Sequence, residues 1–316
     1  MNAIGVDIGG TKIAAGVVTP EGNLLNEVRY PTAAGKERLL SSIARAISEV
    51  KDGFEVGGAC LAAPGFVLAA ENKIVFAPNL HAIEGIPLKD EIGERTGLTI
   101  TVENDANAAA WGEFRFGAGS EVEHLVFVTL GTGVGGGVIT HGILLRGAQG
   151  AGGELGHVTI QATGPRCNCG NHGCLEALAS GTAIGRRARK VANERPDSAL
   201  GRLATEREVM GEDVTELARK GDEAAISILE ETGTWLGIGL AGFVNVFNPE
   251  VVAVGGGVVE AGEYILPPAR REVHLRARSP SRDLVEIKEA TLGPESGVLG
   301  AAALARDSSG EYVLGL

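Results

Sequence analysis

The sequence predicts an α/β protein of two domains that are built from related halves. The chain has 316 residues, of which 44% are apolar, and this length exceeds the size at which one hydrophobic core usually divides into two. Residues 3–18 form an apolar strand, a glycine turn and a second strand, and the same pattern returns at residues 124–140. The repeated pattern predicts an approximate internal duplication, with the domain boundary near residues 110–119.

In the first half, a strand meander is followed by alternating helices and strands. Leu39, Leu40, Ile43, Ile47 and Val50 recur at helical spacing, which predicts a helix that begins near residue 36. The apolar runs and turn residues around this helix predict the remaining elements. These are strands at 3–8, 12–18, 24–29, 56–63 and 98–102, a helix at 89–95 and a further helix that opens at residue 105.

The second half begins like the first and then becomes mainly helical. Apolar runs predict a strand at 124–130, a glycine turn at 131–137 and a returning strand at 138–140. Longer stretches predict helices at 176–193 and 223–247, followed by a buried strand at 251–254 and the glycine cluster Gly255, Gly256 and Gly257.

Composition and charge exclude several classes of protein. The formal charge of −12 argues against a nucleic-acid partner, because phosphate backbones are held by clustered Lys and Arg. Asp7 interrupts the first apolar run and no basic segment precedes it, so a secretory signal is not expected. The longest strongly apolar stretch, 235–247, is too short and too rich in glycine for a membrane span. We therefore expect a soluble, cytoplasmic protein without a membrane partner.

Two glycine turns are candidates for phosphate binding. The first runs from Asp7 to Lys12 and contains Gly9, Gly10 and Thr11; the second contains Thr132 and Gly133. Glycine lets the backbone approach an anion closely, and the Thr and Lys side chains add donors. Either turn alone is more simply explained as a hairpin, but the pair favours phosphate binding. The second turn also fits the dinucleotide pattern, yet an extended segment follows it where that pattern requires a helix.

A group of three cysteines and one histidine is the most specific signal in the chain. The group consists of His157, Cys167, Cys169 and Cys174. Three thiolates and an imidazole suit a closed, tetrahedral structural zinc site. A disulfide with a spare thiol, or buried free thiols, are the alternatives, but the spacing and a reducing compartment disfavour them. His172 is a competing ligand that we rank lower. Cys60, in a predicted strand, is expected to be a small core residue.

Polar residues at the end of a predicted strand suggest acid–base chemistry. Asn104 and Asp105 lie where strand 98–102 gives way to a helix. Judged alone, Asp105 fits a helix N-cap. Opposite two phosphate turns, however, it can take the proton of a substrate hydroxyl during phosphoryl transfer. Glu154 and Glu176 flank the proposed zinc ligands and can accept hydrogen bonds from sugar hydroxyls, although ordinary exposed acids would have the same spacing.

Together these motifs resemble those of the ROK family, and within it the zinc-containing, ATP-dependent glucokinases of actinobacterial type. Residues 7–12 resemble the first phosphate motif of the family and residues 130–137 resemble the second. Residues 153–157 and 167–176 resemble its zinc signature, which is highly specific. The resemblance covers nearly the whole chain.

The resemblance implies an actin-like, ribonuclease H-like fold with ATP and sugar bound in an interdomain cleft. The expected domains are 1–110, joined by a C-terminal helix within 300–316, and 111–299. The implied activity is transfer of the γ-phosphate of ATP to the 6-hydroxyl of glucose, with Asp105 as catalytic base, Mg²⁺ held near Asp7 and structural Zn²⁺. By the same resemblance the sugar contacts are Gly65, Asn79, Asn104, Asp105, Glu154, His157 and Glu176, and the nucleotide contacts are Asp7, Gly9, Gly10, Thr11, Lys12, Thr132, Gly133, Gly255, Gly256 and Gly257.

The same motifs leave several alternatives open. A kinase for another hexose, such as fructose or N-acetylmannosamine, or a polyphosphate-dependent glucokinase would keep all of them. Transcriptional repressors of the family carry a winged helix before the sugar domain, and here the first phosphate strand begins at once, so we rank that alternative low. A sugar-sensing regulator without catalysis is also ranked low because Asp105 is present. The resemblance further implies a homodimer or homotetramer.

Overall fold

The computed structural model describes residues 1–68, 73–77 and 80–307. These residues form two compact units. The first unit comprises 1–125, 137–153 and the segment from Ala290 onward, and the second comprises Val126–Gly136 and Glu154–Glu289. The domain boundary near residue 110 remains a prediction.

The described residues form twelve strands and eleven α-helices. The strands are β1 Asn2–Ile8, β2 Lys12–Val18, β3 Leu24–Pro31, β4 Val56–Ala63, β5 Phe66–Leu68, β6 Lys73–Phe76, β7 Ile100–Asn104, β8 Leu125–Leu130, β9 Val134–Thr140, β10 Ile143–Leu144, β11 Val251–Gly255 and β12 Glu286–Glu289. The helices are α1 Lys36–Lys51, α2 Leu88–Thr96, α3 Asp105–Phe116, α4 Leu175–Ala179, α5 Gly181–Glu194, α6 Ala199–Glu206, α7 Gly211–Arg219, α8 Glu223–Phe247, α9 Gly262–Arg276, α10 Ser281–Leu284 and α11 Ser296–Asp307.

The two five-stranded sheets have the same strand order. The first sheet is ordered β3-β2-β1-β4-β7 and the second β10-β9-β8-β11-β12. In the first sheet, β1 to β3 form the antiparallel meander expected from the sequence, whereas β1, β4 and β7 run parallel. In the second sheet, β9 and β10 form an antiparallel hairpin, and β11 and β12 are parallel. The matching orders agree with the duplication predicted from the two glycine turns.

Helix α1 covers one face of the first sheet. Its residues Leu39, Leu40, Ile43, Ile47 and Val50, which predicted the helix, are all fully buried among β1, β2 and β4. Burial of an aliphatic side chain contributes about 1.5–3 kcal/mol. The apolar stripe of α1 is therefore sufficient reason for the helix to form and to lie on this sheet.

Helix α11 packs against β1, β2 and α3 within the first unit. Val298 and Ala302 of α11 join the small residue Ala14 of β2 in a separate apolar cluster. The helices come very close at Gly300, where a Cβ atom would lie 1.7 Å from the carbonyl oxygen of Ala108 in α3. Only glycine fits this crossing, so α11 is an integral layer of the first unit.

Helix α8 is the longest helix of the described chain and it lies in the second unit. The side chain of Asp222 accepts a hydrogen bond from the Ala225 amide and caps its start. Asn248, in the left-handed conformation with φ 47°, ends it. Helix α8 packs against α9. Within residues 1–68, 73–77 and 80–307, no helix has the length and apolar character of a membrane span.

Local details differ from the sequence-based expectations. The strand expected at 98–102 lies at 100–104. The helix expected at 176–193 is divided, because the Ser180 hydroxyl accepts a hydrogen bond from the Ala183 amide and starts a new helix. Strand β9 begins at Val134, so half of the expected second glycine turn is strand.

Candidate active site

Polar residues collect at the carboxyl-terminal edge of the first sheet. Asp7 of β1 pairs with Ala62 of β4, and Ala63 pairs with Asn104 of β7. Because these three strands are parallel, their carboxyl ends meet at one edge, which is where α/β sheets bind ligands. The sheet therefore brings together Asp7, Gly65, Asn104 and Asp105.

Asn104 makes two hydrogen bonds that stabilise this edge of the sheet. Its Oδ1 accepts a hydrogen bond from the Asn107 amide at 3.0 Å and caps α3, while its Nδ2 donates to the Gly65 carbonyl oxygen at 3.1 Å. Gly65 has φ 106°, and a Cβ atom there would lie 1.9 Å from the carbonyl oxygen of Phe76. Glycine is therefore required, and the backbone at Gly65 is held beside Asn104.

Asp105 is the first residue of α3 and not its N-cap. Asn104 provides the cap, and Asp105 Oδ1 accepts a hydrogen bond from the adjacent Ala106 amide at 2.8 Å. Burial raises the pKa of the Asp105 carboxyl, although the backbone amides of Ala106 and Asp105 and the Asn104 side chain oppose this rise. Asn104, and not Asp105 as the sequence allowed, is therefore the N-cap of α3. The raised pKa makes the Asp105 carboxylate a stronger base than an exposed aspartate.

A buried ion pair stabilises the carboxyl-terminal end of β7. Glu103 is 5% exposed, and its Oε2 accepts a hydrogen bond from Arg146 Nε at 2.7 Å. Its Oε1 accepts the Asn104 amide at 2.9 Å and Asn107 Nδ2 at 3.1 Å. The sequence analysis missed this pair because its members are 43 positions apart. Glu103 holds the backbone of Asn104 and thereby the start of α3.

Asp7 lies at the same edge, directly before the first glycine turn. The turn is closed by a hydrogen bond from the Gly9 amide to the Lys12 carbonyl oxygen at 2.9 Å, while Gly10, Thr11 and Lys12 are exposed at its tip. Burial, reinforced by the negative charge of Asp105, raises the pKa of Asp7 to about 6, and Lys12 opposes this rise. Two carboxyl groups that disfavour each other's charge provide a setting for a divalent cation.

The second glycine turn belongs to the second unit and is held by backbone contacts. The Gly131 amide donates to the Gly133 carbonyl oxygen at 3.0 Å, and the Gly181 amide donates to the Gly131 carbonyl oxygen at 2.8 Å. The Thr182 hydroxyl donates to the Thr132 carbonyl oxygen at 2.7 Å. The turn is thus fixed by the start of α5.

A cavity of about 660 Å³ opens beside this turn. Gly131, Thr132 and Gly257 contribute to its wall, and Gly255 and Gly256 precede Gly257 at the end of β11. The remaining lining comes from α5, from residues 208–210 before α7, from α7 and from the segment after β11. It includes apolar side chains and charged groups: Ile184, Met210, Val258, Arg189, Glu208 and Arg219. Sequence analysis missed the α5 and α7 residues because ordinary helical spacing carries no sign of a ligand.

His157, Cys167, Cys169 and Cys174 lie together in the second unit. Their possible ligand atoms are all within 4.8 Å of one another. Cys167 Sγ lies 3.7 Å from His157 Nδ1, and Cys169 Sγ lies 3.7 Å from Cys174 Sγ. A tetrahedral zinc with Zn–S bonds of about 2.3 Å separates its ligand atoms by ~3.8 Å. The donor set and its spacing therefore fit zinc.

Two carboxylates contact this cluster. Glu176 Oε1 lies 3.5 Å from Cys167 Sγ, and its Oε2 accepts the Val134 amide of the second glycine turn at 3.1 Å. Glu154 Oε2 lies 4.0 Å from His157 Nε2. The structure thus links the glycine turn and the metal-binding loop through Glu176, which spacing alone did not show. Asn79, the remaining predicted sugar contact, lies outside the described residues.

Comparisons with known proteins identify a sugar kinase fold. The chain matches the ROK family over residues 3–308, and it belongs to that family. A glucokinase from Thermotoga maritima is 40% identical over 313 residues, which cover 98% of this chain and 99% of that protein. A xylose repressor from Bacillus subtilis is 32% identical over 312 residues, which cover 96% of this chain and 77% of that protein.

Solved structures agree with this assignment. A ROK glucokinase from Streptomyces griseus in complex with glucose and AMPPNP superimposes with a TM-score of 0.85 at 40% identity, covering 97% of this chain and 100% of that one. A ROK hexokinase from Thermus thermophilus superimposes with a TM-score of 0.82 at 36% identity, covering 98% of this chain and 99% of that one. The predicted actin-like α/β fold is confirmed.

Proposed function

We propose that this chain is an ATP-dependent glucokinase that transfers the γ-phosphate of ATP to the 6-hydroxyl of glucose. The proposal rests on the position of Asp105, whose carboxyl has a raised pKa and lies at the sheet edge. The neighbouring Asn104 is held in place by the hydrogen bond from its amide to Glu103. Full-length relatives from Thermotoga maritima and Streptomyces coelicolor, each 40% identical, are glucokinases. A relative of similar identity was solved with glucose and AMPPNP.

The second glycine turn and its cavity support ATP as the phosphate donor. The cavity combines apolar side chains, suitable for a base, with the exposed Thr132 hydroxyl and the glycine backbone, suitable for phosphates. A polyphosphate has no base and would leave the accessible apolar side chains of Met210 and Val258 without a partner. The cavity therefore favours a nucleoside triphosphate over polyphosphate.

Asp105 acts as the general base in the proposed reaction. It takes the proton from the 6-hydroxyl of glucose while that oxygen forms a bond to the γ-phosphorus, and the bond between this phosphorus and ADP breaks. A raised pKa makes the carboxylate a better base than an exposed aspartate. Asn104 fixes the start of α3 and so holds Asp105 in place.

The divalent metal of the reaction is assigned to the neighbourhood of Asp7. A half-buried carboxyl with a pKa of about 6 gains from a nearby cation, which fits Mg²⁺ held by oxygen ligands and water. When bound, Mg²⁺ neutralises charge on the phosphates. Lys12 and the exposed tip of the first glycine turn supply further donors for phosphate oxygens.

Zinc is assigned a structural role at the Cys3His cluster. With four protein ligands the site has no open position for a substrate water. Bound zinc would hold the loop that carries Glu154 and Glu176, which we assign to glucose hydroxyls together with His157. Gly65, Asn79, Asn104 and Asp105 complete the proposed sugar contacts.

The experiment that tests this function is a matrix of donors and acceptors. Purified protein with Mg²⁺ is given ATP or polyphosphate, together with glucose, fructose or N-acetylmannosamine, and the sugar phosphate is measured. We expect the highest kcat/KM for ATP with glucose. Preference for another hexose, or for polyphosphate, would replace the substrate assignment. Glucose binding by calorimetry without turnover of any sugar would indicate a sugar-sensing regulator.

The assembly state and the cellular location are further proposals. By analogy with family members we propose a homodimer or homotetramer that acts in the cytoplasm. Sedimentation of the purified protein measures the first, and fractionation of producing cells measures the second.

A further inference from the structure

A second group of potential metal ligands lies in the first unit and is not used by the proposed reaction. Glu123, His124 and His141 each offer one ligand atom, and these atoms lie within 4.8 Å of one another. Glu123 and His141 are exposed and His124 is half-buried. The group contains neither a cysteine nor any residue assigned above to ATP, glucose or structural zinc.

The backbone places His141 beside the segment that precedes β8. His141 and Gly142 are the two central residues of the β9–β10 hairpin, and both have positive φ, at 51° and 69°. The Gly142 amide donates a hydrogen bond to the Glu123 carbonyl oxygen at 2.9 Å. Two-residue turns of this kind usually carry Asn-Gly or Asp-Gly. Histidine is among the non-glycine residues enriched at positive φ, so the turn accommodates His141, and the hairpin fixes its position beside Glu123 before any ligand binds.

A neighbouring hydroxyl orients the second imidazole. His124 Nδ1 lies 3.0 Å from Thr140 Oγ1, and the rings of His124 and His141 meet edge to face with centroids 4.6 Å apart. When Nδ1–H donates to Thr140, Nε2 keeps its lone pair and can bind a metal. Histidine ligands typically have such a partner on the other ring nitrogen, which fixes the tautomer and the ring orientation.

We propose that Glu123, His124 and His141 form a reversible site for a borderline transition-metal dication of the Zn²⁺ class. Two imidazoles and one carboxylate suit Zn²⁺, Ni²⁺ or Cu²⁺, whereas Mg²⁺ and Ca²⁺ select oxygen ligands. The carboxylate offsets part of the cation's charge, and the net charge of −12 favours cations in general. Three ligands at a partly exposed site leave coordination positions to solvent.

Such a site would be weaker and more exchangeable than the Cys3His cluster. It contains no thiolate, and two of its three residues are exposed, so water competes for the metal. Binding would join the segment before β8 to the β9–β10 hairpin. Because the metal binds the folded chain, it would raise the melting temperature in proportion to the logarithm of free metal.

The test is a calorimetric titration of tag-free protein with Zn²⁺ in excess Mg²⁺. We expect two Zn²⁺ sites per chain, one tight and one weaker. His141→Asn keeps a residue suited to the turn and should lose the weaker site while keeping the tight one. Cys169→Ser should do the opposite. Thr140→Val removes the hydroxyl that contacts His124 Nδ1 and should weaken the second site about 10-fold or more.

His274→Asn is the matched control, because it removes an exposed imidazole from α9 that has no place in either cluster. It should keep both Zn²⁺ sites. The proposal is overturned if wild-type protein binds one Zn²⁺ at most, or if His141→Asn retains the second with unchanged affinity. Either result would leave the histidine pair as an edge-to-face ring contact, and neither depends on kinase activity.

Discussion

The first sheet ends in acids, whereas the second sheet, with the same strand order, ends in glycines. In the first sheet, Asp7 lies near the end of β1 and Asp105 follows β7. In the second, β8 leads into Gly131 and β11 ends at Gly255. The duplicated scaffold was thus retained while the chemistry of its strand ends diverged. Carboxyls suit proton transfer and metal binding, and glycine backbone suits an anion that acids would repel.

The contacts that hold the acidic edge and the second glycine turn in place also differ. The acidic edge is fixed by side chains, through the Glu103–Arg146 pair and the two hydrogen bonds of Asn104. The glycine turn is fixed by its own hydrogen bond from the Gly131 amide to the Gly133 carbonyl oxygen, by the Gly181 amide of α5, and by two side chains, the Thr182 hydroxyl and the Glu176 carboxylate. Substitutions in the side chains that support the acidic edge, such as Arg146, should therefore affect turnover and stability together, whereas few side-chain substitutions should affect the glycine turn.

The largest expected effect comes from removal of the proposed base. Asp105→Asn should lower kcat by roughly 10²–10⁴-fold with little change in the KM for glucose, because only proton transfer is lost. Its melting temperature at pH 7 should not fall, since burial disfavours the charged form of Asp105. Asp90→Asn changes an exposed aspartate in the first turn of α2 and should leave kcat unchanged. Near-native kcat in Asp105→Asn would refute the assignment.

The next largest effect tests the side-chain support of the acidic edge. Arg146→Met leaves Glu103 buried without its cation and should lower the free energy of unfolding by about 3–5 kcal/mol. Lys220→Met, which breaks an exposed ion pair with Glu216, should cost at most about 0.5 kcal/mol. Chemical denaturation measures both.

Kinetics of the same site separate positioning from stability alone. Arg146→Met should also lower kcat at temperatures where the variant is fully folded. Glu103, which accepts the Asn104 backbone amide, loses the cation that holds it in place. Arg146→Lys keeps the positive charge and should therefore keep most of the kcat that Arg146→Met loses. A destabilised variant with unchanged kcat would show that the ion pair supports the fold without positioning Asp105.

A smaller effect is expected where a side chain supports the glycine turn. Glu176→Gln weakens the hydrogen bond that Glu176 accepts from the Val134 amide and also the one proposed with a glucose hydroxyl. Because hydrogen bonds to charged groups contribute about 1.5–3 kcal/mol, the second loss should raise the KM for glucose about 10-fold. Zinc content should not change, because Glu176 is not among the four proposed ligands. Glu223→Gln, at the exposed start of α8, is the matched control. An unchanged KM would remove Glu176 from the proposed sugar contacts.

The last prediction concerns the pH dependence of stability at Asp7. The pKa of Asp7 is about 6 in the folded chain and near 3.9 when unfolded, so the folded state binds more protons between these values. This contribution favours folding below about pH 4 and is lost as pH rises to about 6. Asp7→Asn should therefore stabilise the chain at pH 7 by on the order of 1–3 kcal/mol and by less at pH 4.

Activity gives the second readout for Asp7. Asp7→Asn should lose turnover and raise the Mg²⁺ concentration needed for half-maximal rate, whereas Asp52→Asn, on the exposed end of α1, should do neither. A stabilised Asp7→Asn protein with normal Mg²⁺ dependence would place the metal elsewhere.

The sequence predicted the parts of the molecule that depend on local pattern. The apolar stripe of α1, the meander of β1 to β3 and the bounds of α8 follow from periodicity and turn residues, because burial is their main cause. The placement of Asn104 and Asp105 together followed from a predicted strand that gives way to a helix at these residues. These expectations needed no contact between distant residues.

What the sequence did not predict depends on particular distant contacts. The choice of Asn104 over Asp105 as N-cap depends on which side chain reaches the Asn107 amide. The Glu103–Arg146 pair and the reach of Glu176 to Val134 join residues 43 and 42 positions apart. Nothing in the composition of α5 and α7 marks residues such as Met210 as part of a cavity wall.

The packing of α11 has a consequence for synthesis of the protein on the ribosome. Strands β1 and β2 emerge early, but their partners Val298 and Ala302 are translated about 280 positions later. At about 5–20 residues per second, the nascent sheet waits for tens of seconds with one apolar face uncovered. That face is open to chaperones or to transient contacts until α11 has emerged.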